Sequence, residues 1–483
     1  MENNRRLRTH HIVFLVLAAA APLTVVSSGI TAAYSSSGMA GVPLGYILSG
    51  ALVATFALGF CAMAREIPNT AAFFSYASAG LGRSHGLAAS WLAIVSYCAM
   101  QIALYSLLGY TANALIMSVT GASIPWWVCS LVALALVGAL GLNAADATSK
   151  ILGIVLTFEL ITVAIYCITV LKNPANGLNS NSITPSTFWG EGTGTLLAFT
   201  IAGFMGIESS TMYAEEAKTP EKTIPRATLI AILSITVFYG FASWAIAQSV
   251  GENAVVSEAR SQSSDLFFNF LADHGHAPLV PFIRFLLITS LFAAVTAYHN
   301  SIARYIMALG REEVIWKHLG QTSLAGVPVA ASVALSMFGF LAIAGGALAQ
   351  RLLNAGNDFP ASIIFAWMSN AGGFGLVFLF MITGLSIYRY FKKNPDRYSI
   401  FVTKFTPLLA TAGFAVVFVL ILTNFNNLIG DAELWYLVFI IPGVILSCGI
   451  AGYARGEYLR LLRPWIYQNI GSGHSPEPSA SKR

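Results

Sequence analysis

Apolar runs of about 20 residues recur from one end of the chain to the other, and no other feature restricts the fold as much. Each is long enough to cross the hydrocarbon core of a bilayer as a helix. Twelve can be marked, near residues 12–34, 43–64, 86–118, 125–142, 150–171, 193–214, 226–250, 281–310, 327–348, 360–391, 403–424 and 432–454. They are continuous, as in LVALALVGAL at 131–140, whereas the strands of a transmembrane barrel alternate over about ten residues. The expectation is an all-α membrane protein with twelve transmembrane helices. Composition agrees: 10% of the 483 residues are charged and 56% are hydrophobic, against about a quarter charged in soluble domains.

Lys and Arg collect in cytoplasmic loops. With the N-terminus inside, 22 of the 26 fall on the inner side, leaving Lys172, Arg260, Arg284 and Arg351 outside. Both termini are therefore expected in the cytoplasm and the chain in the cytoplasmic (plasma) membrane. This asymmetry accounts for the net charge of +5, so no nucleic-acid partner is implied. RRLR at 5–8 precedes an apolar run of full span length with no clean cleavage site, so the first helix is expected to stay attached.

No soluble domain is expected. A cytoplasmic tail at 1–11 leads into a core at 12–391, helices eleven and twelve occupy 403–454, and a second cytoplasmic tail covers 455–483, its polar end GSGHSPEPSASKR expected to be disordered. The five cysteines lie inside predicted spans without CxxC spacing or a histidine at ligand distance, so neither disulfides nor a metal site is expected. No cofactor motif and no nucleophile–base constellation is present, which argues against an enzyme. Trp126, Trp127, Trp189, Trp435 and Tyr436 fall at predicted outer boundaries, where amphipathic rings anchor. Residues 261–273 have a helical pattern too short to span, suggesting a surface or re-entrant helix that is either an external lid or a plain loop helix.

Spans one and six differ from the rest. The first contains Pro22, Ser27, Ser28 and Gly29, and the sixth contains AGFMGIESS at 202–210. Both are candidates for broken helices, at corresponding places in two halves of five spans, the pattern of an inverted-repeat transporter. A gap in a helix exposes amide hydrogens and carbonyls, tolerable at membrane depth only where protein, a wet cavity or a polar ligand satisfies them. Gly203 and Gly206 ease departure from helical geometry, although small residues also permit close helix packing.

Glu159 and Glu208 are the acids placed deep within spans, where a charge is costly unless paired, protonated or solvated. Glu159 is a candidate for exchanging a proton or holding a cation, or for bonding a neighbouring helix in protonated form. Glu208 either faces a substrate amine or braces the unwound backbone. Gln101, Tyr298 and His299 are further polar candidates, His299 because an imidazole titrates near neutral pH; Ser369 and Asn370 interrupt span ten.

Five ordered motifs then resemble the amino acid–polyamine–organocation permeases, which have the leucine-transporter fold. VSSGI (26–30) is similar to IGSGI, AGVP (40–43) to AGP, and AREIPNTAAFFSYASAGLGR (64–83) to a PxxGGxYxY stretch with alanines for both glycines. FMGIESSTMYAEEAKTPEKTIPRA (204–227) resembles FxGFExxxxxAEExKNPxRxIPRA, and ARYIMALGREEVIWKHLGQTSLAGVPVAA (303–331) the segment that ends helix eight. The resemblance implies inverted repeats over about 12–171 and 193–391. It further implies that backbone amides of Ser27, Ser28 and Gly29 hold an amino acid carboxylate, and that carbonyls near Ala202, Phe204, Gly206 and Ile207, and near Leu23 to Val26 of the first helix, meet its amino group. Gln101 matches a substrate-contacting asparagine and Tyr298 an aromatic lid, while Ala202 replaces a gating tryptophan. Glu159 aligns with a lysine that stands in for a sodium site in proton-coupled relatives. The function so implied is secondary transport of an amino acid or related amine by alternating access, as a symporter using protons or sodium. The alternatives are an amino acid/amine or polyamine exchanger and, more distantly, a non-transporting sensor.

Overall fold

The computed structural model describes residues 7–67, 71–141, 148–212, 217–323, 327–394, 398–425 and 437–471. The expectations for Trp435, Tyr436 and the end of the C-terminal tail lie outside these residues, as do positions 213–216 of the motif at 204–227. Every regular element among the described residues is helical, with one isolated parallel bridge between Leu7 and Ala217.

Among the described residues, ten helices are long and apolar enough to cross a membrane, and two further apolar helices are shorter. In chain order they are α1 (Thr9–Ser37), α2 (Val42–Glu66), α3 (Arg83–Thr120), α4 (Trp126–Gly141), α5 (Thr148–Lys172), α6 (Thr193–Ala202), α7 (Pro220–Val250), α8 (Val280–Arg311), α9 (Val329–Leu352), α10 (Phe365–Lys393), α11 (Thr406–Thr423) and α12 (Leu437–Leu462). The short ones are α4 and α6. At 1.5 Å per residue the ten residues of α6 rise about 15 Å, half of a hydrocarbon core, because the segment leaves helical geometry after Ala202.

The centre of the bundle is α3. Its 38 residues carry no broad polar face, and it is buried over most of its length, packed against α4, α8, α10 and α12, with its last turn exposed. Peripheral helices instead turn large apolar side chains outward, among them Val237, Leu341 and Ile450, each about two-thirds exposed or more. A surface of that composition faces lipid.

Two features close the ends of the cavity region. After α7 the chain forms helices Val255–Gln262 and Asp265–Leu271, separated at Ser263 by a positive φ of 50°. The first packs on the Ile30–Ser37 end of α1 and the second on Val25–Gly29. Asp265 receives the Arg284 guanidinium at 2.7 Å and the Tyr110 hydroxyl at 2.9 Å, and Arg284 also lies over the Phe268 ring at 4.4 Å. At the other end the Leu7 carbonyl accepts the Lys218 N–H at 2.9 Å, and Ile12 and Val16 pack on Ala217, Ile224, Ala227 and Ala231.

Candidate functional site

The break in α1 falls at Ala20–Pro22. Pro22 has no N–H to donate and its ring excludes a helical approach, and Ala21 before it takes left-handed φ 47°, ψ 68°. The groups freed there find partners on other helices. The Ala20 carbonyl accepts the Tyr239 hydroxyl of α7 at 3.1 Å. The Leu23 N–H, which starts the second half of α1, donates to Glu159 Oε2 of α5 at 3.2 Å. An acid at a helix N-terminus meets both an orphan amide and the positive end of the helix dipole.

Beyond the break, Val25–Gly29 is a π turn. The interruption thus falls at Pro22, one of the residues expected to break the span, while Ser27, Ser28 and Gly29, expected with it, lie on this turn. The serines satisfy local carbonyls instead of opening the coil: Ser27 Oγ donates to the Leu23 carbonyl at 2.8 Å, and Thr31 Oγ1 donates to the carbonyls of Ser27 and Ser28 at 3.0 and 2.9 Å. Such back-bonding lets a helix bend without unwinding.

In the sixth segment, helix Thr193–Ala202 ends in tight turns, with Phe204 N–H bonded to the Ile201 carbonyl at 2.9 Å and Met205 N–H to the Ala202 carbonyl at 3.0 Å. Gly206 follows at φ 102°, a value that suits glycine alone, and helix resumes at Ser209–Met212. Here too a buried acid receives the loose amide. Gly206 N–H donates to Glu208 Oε2 at 3.1 Å, and the Tyr97 hydroxyl of α3 donates to Oε1. Both breaks are thus capped by a carboxylate from inside the protein.

Between the two breaks lies a cavity of about 60 Å³. Its wall takes Ala21, Val25 and Gly29 from α1, Ala202 and Gly203 from the sixth segment, and Tyr298 from α8. Met100 and Leu104 of α3, Ser369 of α10, Thr24 and Tyr46 also line it. α10 comes this close because Gly373 has no side chain: a Cβ there would meet the Ala198 carbonyl of α6.

The amino acid permease family model matches residues 11–459. The chain belongs to the amino acid permease family. It is a membrane transporter and not an enzyme. It is 23% identical to the histidine permease of Lactococcus lactis subsp. cremoris (strain MG1363) over 73% of its own length and 76% of the relative's. It is 22% identical to the gamma-aminobutyric acid permease of Bacillus subtilis (strain 168) over 92% of each. With the low-affinity putrescine importer of Escherichia coli (strain K12) it shares 22% identity over 66% of its length and 69% of the relative's.

Of the residues singled out from the permease sequence, Gly29, Ala202 and Tyr298 line the cavity. Phe204, Gly206, Ile207 and Glu208 follow Ala202 on the broken segment, with Glu208 turned to its own backbone and to Tyr97. Ser27 and Ser28 lie on the π turn, their polar atoms engaged within α1 and with each other. Glu159 stands behind the α1 break. Gln101 and His299 meet each other instead of the cavity: Gln101 Nε2 lies 3.4 Å from His299 Nδ1, and His299 Nε2 lies 2.7 Å from Ser332 Oγ of α9. Sequence reasoning left Ser369 out of the site. Ser369 is 3% exposed and its hydroxyl has no hydrogen-bond partner among the described residues; its only signal in the sequence is a polar pair interrupting an apolar span.

Proposed function

We propose that this permease is a secondary active transporter of an amino acid or related amine, coupled to protons and working by alternating access. In this reading the chain crosses the cytoplasmic membrane twelve times with both termini in the cytoplasm, and its core is a pair of inverted five-helix repeats over about 12–171 and 193–391. The observation that carries it is the pairing of two interrupted helices around one cavity, each held open by a buried carboxylate. A zwitterion suits that place: the amino end of the second half of α1, at the Pro22 break, favours its carboxylate, and carbonyls of the Ala202–Ile207 stretch favour its ammonium. Relatives named for histidine, gamma-aminobutyric acid and putrescine support a substrate bearing an amine.

Coupling runs through Glu159. An ionised carboxylate holds the Leu23 amide by a charge-assisted bond, and protonation replaces it with a neutral bond about half as strong. Proton uptake thereby loosens α1 at its break, the place that must flex for the cavity to change sides. Glu159→Gln in proteoliposomes should abolish uphill uptake driven by a pH gradient while leaving substrate exchange measurable. Undiminished gradient-driven uptake in that variant removes Glu159 from coupling. Uptake that depends on preloaded substrate and ignores the gradient makes the protein an exchanger.

A further inference from the structure

We infer that the cavity takes a net-neutral, zwitterionic amino acid with an apolar side chain and rejects diamines and basic amino acids, with Ser369 as the polar contact on the side-chain wall. This rests on the transporter reading above and narrows its substrate class.

The cavity wall holds no charged residue among the described ones. Its lining is mostly apolar, with Met100, Leu104, Phe199 and Phe365 the large groups, and its side-chain polarity is limited to the hydroxyls of Thr24, Tyr46, Tyr298 and Ser369. The two acids nearest the breaks are committed elsewhere. Glu159 receives the Leu23 amide and Glu208 receives Gly206 N–H and the Tyr97 hydroxyl, and neither lies on the wall. A zwitterion brings its own counter-charge, so its ammonium and carboxylate can divide between the carbonyls and amides of the breaks with no net charge buried. A diamine carries two ammoniums and no carboxylate, and lysine or arginine adds a cation at the side-chain end. Burying such a cation without an anion costs more than an aromatic face returns through cation–π attraction.

Ser369 lines the cavity from α10 and its buried hydroxyl has no partner among the described residues, so it is available to bond a substrate polar atom by donating or accepting but cannot neutralise a cation. Replacing it with a carboxylate supplies what a second ammonium lacks.

The test is a binding panel on the purified full-length permease: alanine, leucine, isoleucine and phenylalanine against lysine, arginine and putrescine, for wild type and Ser369→Asp. In wild type the best neutral amino acid should bind at least about tenfold more tightly than any cation, about 1.4 kcal/mol. In Ser369→Asp that preference should fall by about tenfold or reverse toward lysine or putrescine. Wild-type binding of a cation as tight as the best neutral ligand overturns the inference and leaves the transporter reading standing. Failure of every ligand to bind or be taken up overturns both. A folded, monodisperse Ser369→Asp protein with unchanged preference overturns the placement of Ser369, and the wild-type panel decides the substrate class even if that variant does not fold.

Discussion

Ala21 and Gly206 both hold positive φ at the breaks, 47° and 102°, but only Ala21 carries a Cβ there. A left-handed residue with a Cβ is disfavoured by about 1–2 kcal/mol, part of which glycine gives back by enlarging the entropy of the unfolded chain. Ala21→Gly should therefore leave stability unchanged or raise it by up to about 1 kcal/mol. Gly206→Ala meets no crowding, its nearest contacts being Ala19 atoms at 3.8 and 4.0 Å, so its cost is purely conformational and at least about 1–2 kcal/mol. Thermal unfolding of the purified variants checks this. The melting point should hold or rise for the first and fall for the second, and a rise for Gly206→Ala would show that the φ at this position is not imposed by the fold.

At the scale of elements, the site is the meeting of α1, α3, the sixth segment, α8 and α10, covered by Asp265–Leu271. That short helix is tied down by Arg284 and Tyr110 through one carboxylate. Asp265→Asn weakens a charge-assisted pair at partial burial and leaves Arg284 short of its partner, a loss of about 1–2 kcal/mol. Amide hydrogen exchange should then quicken across residues 265–271 and stay unchanged in α3 and α10, whereas unchanged exchange over 265–271 would mean that packing alone, through Phe267 on Tyr166 at 4.3 Å, holds the segment. Much of this was readable in the sequence, and the misses have physical causes. The sixth-segment break showed directly because a glutamate inside an apolar span is costly, and here it follows two glycines that ease departure from the helix. The α1 break falls at Pro22, which the sequence marks, but does not extend to Ser27–Gly29, because Ser27 bonds a carbonyl one turn back. Gln101 was assigned to substrate from resemblance, but one residue along a helix is a turn of about 100°, so Met100 and Leu104 face the cavity while Gln101 faces His299. Ser369 had no periodic signal, since reaching the wall depends on the close approach of α10 to α6 at Gly373, a long-range property.

For the whole molecule, the central claim is that a zwitterion sits between two interrupted helices whose breaks are braced by Glu159 and Glu208. A mobile pair of half-helices inside a scaffold of long apolar ones can open to either side without exposing unpaired backbone to lipid. The family match over residues 11–459 fits this arrangement, and the buried carboxylates explain how the breaks persist without substrate. The most direct measurement is an experimental structure of the purified permease with its tightest-binding amino acid. The expected result is ligand density between Ala20–Gly29 and Ala202–Ile207, its carboxylate toward α1 and its side chain against Met100, Leu104 and Phe365. Density for the ligand elsewhere, or α1 and the sixth segment each running as one uninterrupted helix, would contradict it.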